Sequence, residues 1–304
     1  MVKSVIAIIG PTAIGKTTWA ISLAKHFKTE IISTDSRQFF KEMRIGTAVP
    51  NESELNSVKH HFIQHLSIFD HYSVGDFEKD VALKLDSLFK KKDTIILVGG
   101  SGLYMDAILY GLDTFPKVRP EIRQELNQEY QRAGLEPLRF RLQELDPVYF
   151  EQVDGNNPHR IIRALEVCLT SGTPYSDFLG KKRPKVKMRH LLIGLDAPRE
   201  VIYERINLRV DVMIEQGLVA EAQKLFQHRQ LNGLNTVGYK ELFLHFEGKL
   251  SLDEAVNEIK KNTRRFAKRQ LTWYRKNKEV QWLPYDLNEH ELIFKVGTQL
   301  NYGA

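Results

Sequence analysis

The chain has 304 residues, 42% of them apolar and 27% charged, which suits one large core with a smaller appendage and excludes an unfolded polar chain. No stretch has the apolar length of a signal peptide or a membrane span, so a soluble protein of the cytoplasm is expected. The single Cys168 excludes an internal disulfide and is expected to be a buried small side chain, while the net charge of +6 is clustered in a way that points to a polyanion.

The first element predicted is a buried parallel strand over Val5–Ile9, all small or branched apolar residues. Gly10, Pro11, Thr12, Ala13, Ile14, Gly15, Lys16 and Thr17 follow it and match G-x-x-x-x-G-K-[ST]. Such a loop closes backbone N–H groups around phosphate oxygens at the positive end of a helix. Lys16 adds a full charge, and Thr17 offers a hydroxyl to Mg²⁺. Trp19, Leu23 and Phe27 then recur every four residues and give that helix a face to bury. The loop leaves open which phosphate compound it holds, since kinases, ATPases, GTPases and at least one kind of transferase all use one.

Glu30–Asp35 reads as a second buried strand ending in a carboxylate, and Ser36, Arg37 and Gln38 follow as polar groups within reach of a substrate. Ligands of open α/β sheets sit off the carboxyl ends of the strands, which sets Asp35 beside the phosphate loop; a cap on the next turn is the alternative. His60, His61, His65 and His71 cluster downstream, with His61 and His65 at the i, i+4 spacing of metal ligands. No helical stripe runs through that segment, and packing within a loop is the preferred reading. Asp76–Phe89 reads as a helix burying Phe77, Val81, Leu85 and Leu88, and Thr94–Val98 as a strand that runs into Gly99, Gly100, Ser101 and Gly102. A common ATPase carries an Asp at the end of such a strand. Glycines there predict that backbone closely approaches a bound molecule, and they leave Asp35 as the available carboxylate.

From Pro116 the pattern turns wholly helical. One helix starts at Pro120 and ends at Gly134, with Ile122, Leu126 and Tyr130 inward; a second carries Leu138, Leu142 and Leu145 and stops at Asp146-Pro147. A third is capped by Asn157 and ends at Gly172, with Ile161, Ile162, Leu165 and Leu169 inward and His159, Arg160 and Arg163 outward. The sheet resumes at His190–Leu195, and a helix from Pro198 carries Arg205 and Arg209 four residues apart, placed either to reach over the phosphate loop or merely on the surface. Leu234–Tyr239 is a polar turn before another helix. A long final helix opens with the capping box Ser251/Glu254; Leu252, Val256, Ile259, Thr263, Phe266, Gln270 and Trp273 are expected inside, and Lys261, Arg264, Lys268 and Arg275 outside. Lys260 to Lys278 holds nine Lys or Arg and no acid, and Lys181 to Arg189 is a second basic cluster. A basic stripe along ~28 Å of helix matches a phosphodiester backbone better than a point ligand.

These blocks, taken in order, resemble the tRNA dimethylallyltransferase (IPP transferase) family: Gly10–Thr17, Asp35-Ser36 with Ile45-Gly-Thr-Ala48, Val98–Tyr104, Asn157–Glu166, Val237-Gly-Tyr239 and Thr263–Trp273. Ile14 stands where the family usually has a hydroxyl residue, and His159 and Ile162 where many members carry glutamine. The resemblance implies an α/β fold, a P-loop NTPase-like core with a parallel sheet flanked by helices, plus an inserted all-helical domain. The core would be residues 1–115 and 187–304, with basic C-terminal helices, and the inserted tRNA-binding domain residues 116–186. It implies transfer of a dimethylallyl group from dimethylallyl diphosphate to N6 of adenosine 37 in tRNA, with Mg²⁺ on Thr17, by a monomer. Asp35, Lys16 and Arg209 would be catalytic. Asp35, Ser36, Arg37, Gln38, Ser101, Arg123, His159, Arg160, Ile161, Ile162, Arg163, Arg264, Lys268 and Arg269 would meet tRNA.

The chemistry read from the residues agrees. An allylic C–O bond breaks readily once the departing diphosphate is neutralised, and a carboxylate such as Asp35 can take the proton of a weakly nucleophilic amine. The rival readings are a nucleotide kinase, a transferase acting on free AMP, and an RNA-binding switch driven by nucleotide hydrolysis. The first two have no need of the basic helix, and the third wants an Asp where Gly99 stands.

Overall fold

The computed structural model describes residues 3–302 and divides into two compact units, Met1–Leu109 with Lys185–Ala304, and Tyr110–Pro184. In chain order the first unit opens with β1 (Ser4–Ile9), α1 (Lys16–His26), β2 (Ile31–Ser33), α2 (Glu52–Ser57), β3 (His60–His61), α3 (Val74–Phe89), β4 (Thr94–Val98) and α4 (Gly102–Leu109). The second unit contributes α5 (Pro120–Ala133), α6 (Glu136–Leu145), α7 (Pro147–Gln152) and α8 (Pro158–Ser171). The first unit then resumes with β5 (Arg189–Asp196), α9 (Arg199–Glu215), α10 (Leu218–Leu225), α11 (Tyr239–Phe246), α12 (Leu252–Tyr274), β6 (Gln281–Pro284) and α13 (Glu289–Tyr302).

The six strands form one sheet in the order β3-β2-β4-β1-β5-β6, and every pairing is parallel. All six residues of β1 are buried, as a central strand covered on both faces requires. Register fixes the rest: Val98 at the end of β4 lies opposite both Ile8 of β1 and Ser33 of β2. The chain therefore leaves β2 and β4 at one level and β1 one residue further on, so that Thr34-Asp35, Gly99 and Gly10 emerge at the same end of the sheet. Trp19, Ala20, Leu23 and Ala24 of α1, Ile202 and Ile206 of α9, Ala267 of α12 and Leu292 and Val296 of α13 share the main core cluster with the sheet. A second cluster gathers Met43, Val210, Leu218, Tyr239, Leu242 and Ile259. The helical unit has its own core of Ile122, Leu126, Leu138, Leu142, Ile161, Ile162 and Leu165. Among the described residues no helix is long and apolar enough to cross a membrane.

The second helix stops where expected, with Asp146 at its C-terminus, and the same Asp146 carboxylate accepts from Tyr149 N and, with Pro147 at the first position, starts α7. One expectation needs correction. The buried stripe of α12 is Ala255, Ile259, Ala267, Gln270 and Tyr274, whereas Leu252, Phe266 and Trp273 are 37%, 37% and 42% exposed. The helix lies so close to its neighbours that small side chains face in, and the larger apolar ones are displaced to the rim. The glycines after β4 serve this packing. A Cβ on Gly99 would meet Asp35 N at 2.9 Å as well as the Thr34 hydroxyl, one on Gly100 would strike Gln270, and one on Gly102 would reach the Trp273 ring at 2.5 Å.

Gly99→Ala should therefore destabilise the protein by about 1–3 kcal/mol through overpacking against backbone that cannot retreat. A melting temperature equal to the parent's would contradict this packing role.

Candidate active site

The phosphate loop is held open from three directions. Gly10 has φ 142° and an added Cβ would lie 3.0 Å from Leu195 O, so only glycine turns the chain there. Ala13 has φ 65°, a left-handed conformation rarely taken by a residue with a side chain, and Gly15, at φ 108°, caps α1. Arg205 of α9 donates from Nε to Ala13 O at 2.8 Å, and Arg209 reaches Thr12 Oγ1 with Nη1 at 3.5 Å. Both arginines thus lie against the loop, the first of the two placements their spacing allowed. From the other side Gln270 of α12, almost fully buried, accepts from Thr12 N at 2.8 Å and donates to Gly100 O at 3.0 Å. Gln270 was foreseen only as an inward residue of a helix. A polar side chain in an otherwise apolar stripe is the signal that it spans two backbones. Ile14 is buried in the main core, so it anchors the loop and presents no polar group.

A cavity of about 670 Å³ opens over this loop, lined by Thr12 to Thr18, Asp35, Gln38, Arg205 and Arg209 and by a wall from Arg44 to Asn51. Lys16 Nζ donates to Pro11 O at 2.7 Å, and Thr17 follows it in the first turn of α1. Desolvation, then the nearby Arg209, lowers the Lys16 pKa to about 7, with Asp35 opposing them. Burial likewise lowers the pKa of Arg209, with Arg205 next in effect. Asp35 accepts from Arg37 N at 3.1 Å and has its pKa raised by burial, against the pull of that hydrogen bond and of Lys16, Arg37 and Arg209. Lys16, Arg44, Arg205 and Arg209 thus outnumber the cavity's carboxylates, Asp35 and Glu54, and the cavity is built for an anion.

The other predicted residues divide by environment. Ser36 N donates to Ser101 Oγ at 3.2 Å, joining the β2 and β4 ends. Arg37 donates to Asn232 O and Gly233 O at 3.3 and 3.1 Å, and Gln38 Nε2 to Thr47 O and Ala48 O at 3.2 and 2.9 Å, so both brace loops. His60 lines the cavity, while His61 Nε2 pairs with Glu30 at 2.6 Å. In the helical unit Arg123 and Arg163 both bind Glu166, at 2.5 and 2.8 Å for Arg123 and 2.5 Å for Arg163, and Glu166 is 1% exposed. His159 and Arg160 are exposed. Ile161 and Ile162 are core residues of that unit, 0% and 5% exposed, and their side chains offer tRNA no surface. On α12, Arg264 is tied to Asn207 at 2.7 Å and lies over the Tyr203 ring, while Lys261 pairs with Glu258 and Arg275 with Asp196, so two of the four expected outer residues are paired with an acid. Arg265, Lys268 and Arg269 are exposed.

The sequence profile of the IPP transferase family matches residues 38–277. A tRNA dimethylallyltransferase of Christiangramia forsetii is 57% identical over 99% of this chain and 100% of its own. One of Flavobacterium johnsoniae is 53% identical over 96% of each. Among solved structures, a full-length tRNA isopentenylpyrophosphate transferase of Bacillus halodurans superposes with a TM-score of 0.72 at 34% identity, covering 98% of this chain and 96% of that one. Its likeness spans the parallel sheet and the helices around it.

An ammonium whose pKa is lowered to about 7 by burial gains its proton when an anion binds, because the anion favours the charged form. Affinity for inorganic diphosphate should therefore fall as pH rises above 7, by up to about tenfold per unit from this group. Titrations of the parent and Lys16→Met across pH 6 to 9 separate this from the ionisation of diphosphate itself. Equal slopes in the two proteins would contradict the assignment.

Proposed function

The chain belongs to the IPP transferase family, and from that premise we propose that it transfers the dimethylallyl group of dimethylallyl diphosphate to N6 of adenosine 37 in tRNA. It is a prenyl-transferring, tRNA-modifying enzyme of the tRNA dimethylallyltransferase kind. The observation that carries the residue-level reading is the convergence of Lys16, Arg209 and Asp35 on one cavity beside the phosphate loop.

The diphosphate sits on the amides of Gly10 to Thr17, in the loop used elsewhere for nucleotides such as ATP, with Lys16 and Arg209 facing its oxygens. As the allylic C–O bond lengthens, negative charge builds on the leaving oxygen, and these fixed cations stabilise it without having to reorganise. The adenosine N6 attacks the allylic carbon from the side away from the diphosphate. Its lone pair is shared with the purine, so Asp35 accepts an N6–H bond, orients the amine and takes the proton. Burial raises the Asp35 pKa, which makes it a stronger base than a surface carboxylate, and the hydrogen bond from Arg37 N with the charges of Lys16, Arg37 and Arg209 pulls the other way, toward the ionised form. The base must leave its stack to reach a site buried at the carboxyl ends of the strands, as enzymes acting on a base require.

Among the described residues no group of three or more His, Cys, Asp or Glu could hold a metal. The Thr17 hydroxyl in the first turn of α1 is an oxygen donor that fits Mg²⁺, an ion that takes its remaining ligands from substrate phosphate and water. Bound there, Mg²⁺ would supply further charge to the departing diphosphate. The tRNA is gripped through phosphates by Lys268 and Arg269, with His159, Arg160, Arg123 and Arg163 of the helical unit contributing; Ser36, Arg37, Gln38 and Ser101 border the flipped base. A monomer in the cytoplasm, where tRNA is met, completes the reading.

Incubation with labelled dimethylallyl diphosphate and total tRNA, followed by nucleoside analysis, should put the label on an adenosine 3′ of the anticodon. Label absent from tRNA, with phosphoryl transfer from ATP instead, would contradict the reading. Charge reversal at Lys268 and Arg269, which hold no structural ion pair in the described residues, should flatten the salt dependence of tRNA binding by about 0.7 to 0.9 logarithmic units per lost contact. An unchanged slope would mean that this face is only solvated.

A further inference from the structure

One carboxylate outside the cavity holds the cavity's wall. Arg44 N, Ile45 N and Gly46 N, three successive amides, all donate to Glu221 of α10, at 3.1 Å, 2.9 Å and 3.0 Å for the nearer oxygens. Consecutive amides turned to one side form a concave anion site, and here the chain's own glutamate occupies it. Tyr239, 0% exposed, donates its hydroxyl to the same carboxylate at 2.6 Å. Its ring leaves no room at Gly46, where an added Cβ would lie 2.6 Å from Cε2. The far side of the segment is tied by Gln38, which donates to Thr47 O and Ala48 O and accepts from Ser33 Oγ at 3.3 Å. Arg44, Ile45, Thr47, Ala48 and Val49 line the cavity, whereas Glu221 and Tyr239 do not.

We propose that Glu221, oriented by Tyr239, is a positioning residue for the prenyl chain of the donor. It fixes the 44–49 wall so that Ile45 and Val49 present an apolar surface at constant distance from the phosphate loop. This rests on the reading that the cavity holds a prenyl diphosphate. The clamp touches neither the diphosphate nor the reacting atoms, and its loss affects the part of the donor that the phosphate loop does not hold. Three amides and a buried hydroxyl on one carboxylate exceed what loop closure alone would need, because charge-assisted bonds of this kind are about twice as strong as neutral ones.

Glu221→Gln keeps the side chain's size but turns an amide N–H₂ toward donors. It should raise KM for dimethylallyl diphosphate about tenfold, with kcat within about threefold and the Kd of inorganic diphosphate within about twofold of the parent. Tyr239→Phe keeps the ring packing and should shift the donor KM in the same direction by about two- to fivefold, a second test should the first variant fail to fold. An unchanged donor KM, or diphosphate binding weakened as much as donor use, would overturn the proposal. Hydrogen exchange at amides 44–46 reads the clamp without any reaction: both variants should exchange faster than the parent, and unaltered protection would overturn it. A parent protein that does not prenylate tRNA would sink the functional reading instead, and the exchange result would still decide whether the clamp exists.

Discussion

The site depends on one constraint of backbone register. Val98 lies opposite Ile8 and Ser33, so β1, β2 and β4 end within one residue of one another. From those ends the chain makes the phosphate loop, the Thr34-Asp35 carboxylate and the glycines after β4 within a few ångströms of one another. A slip of one residue in the pairing of β2 with β4 would turn Asp35 to the wrong face of the sheet. Gln270 then ties two of these ends together through Thr12 N and Gly100 O, which makes α12 a brace for the loop as well as a basic surface. The close approach required for that brace is what demands glycine at position 100.

Electrostatics complete what register begins. Lys16, Arg205 and Arg209 crowd around Asp35 in a desolvated space, and burial works against every one of the charges whose shift is resolved there. Such an arrangement costs stability in the empty protein and is relieved when an anion enters, so the same charges bind the leaving group and stabilise it as it departs. Remote ties keep the arrangement from collapsing: Arg205 is bonded to Ala13 O, Lys16 to Pro11 O, and the cavity wall to Glu221.

What was legible in the sequence was local. The strands at Val5–Ile9 and Thr94–Val98, the phosphate loop, and the caps at Asn157 and Ser251 each announce themselves within a few residues, and the structure has them there. What was not legible comes from partners far along the chain. The face of α12 was misread because close packing selects Ala255 and Ala267 over Phe266 and Trp273, a preference that periodicity of large apolar residues cannot register. The counter-ions of the basic face lie outside residues 260–278: Glu258 just before them on α12, Asp211 on α9 and Asp196 at the end of β5. Arg123 and Arg163 converge on a glutamate buried in the same unit, and Glu221 reaches a loop some 175 residues earlier. The strands β3 and β6, two and four residues long, are too short to show any pattern.

The central claim is that Asp35 takes the proton of the acceptor amine, and single-turnover transfer by Asp35→Asn tests it most directly. Asparagine keeps the size and one carbonyl acceptor, and it caps a turn nearly as well as aspartate, but it cannot accept a proton. With saturating tRNA and donor, and with melting temperature recorded alongside, the account predicts a rate lower by roughly 10² to 10⁴-fold while both substrates still bind. A stable Asp35→Asn protein that transfers the prenyl group at near the parent rate would contradict it.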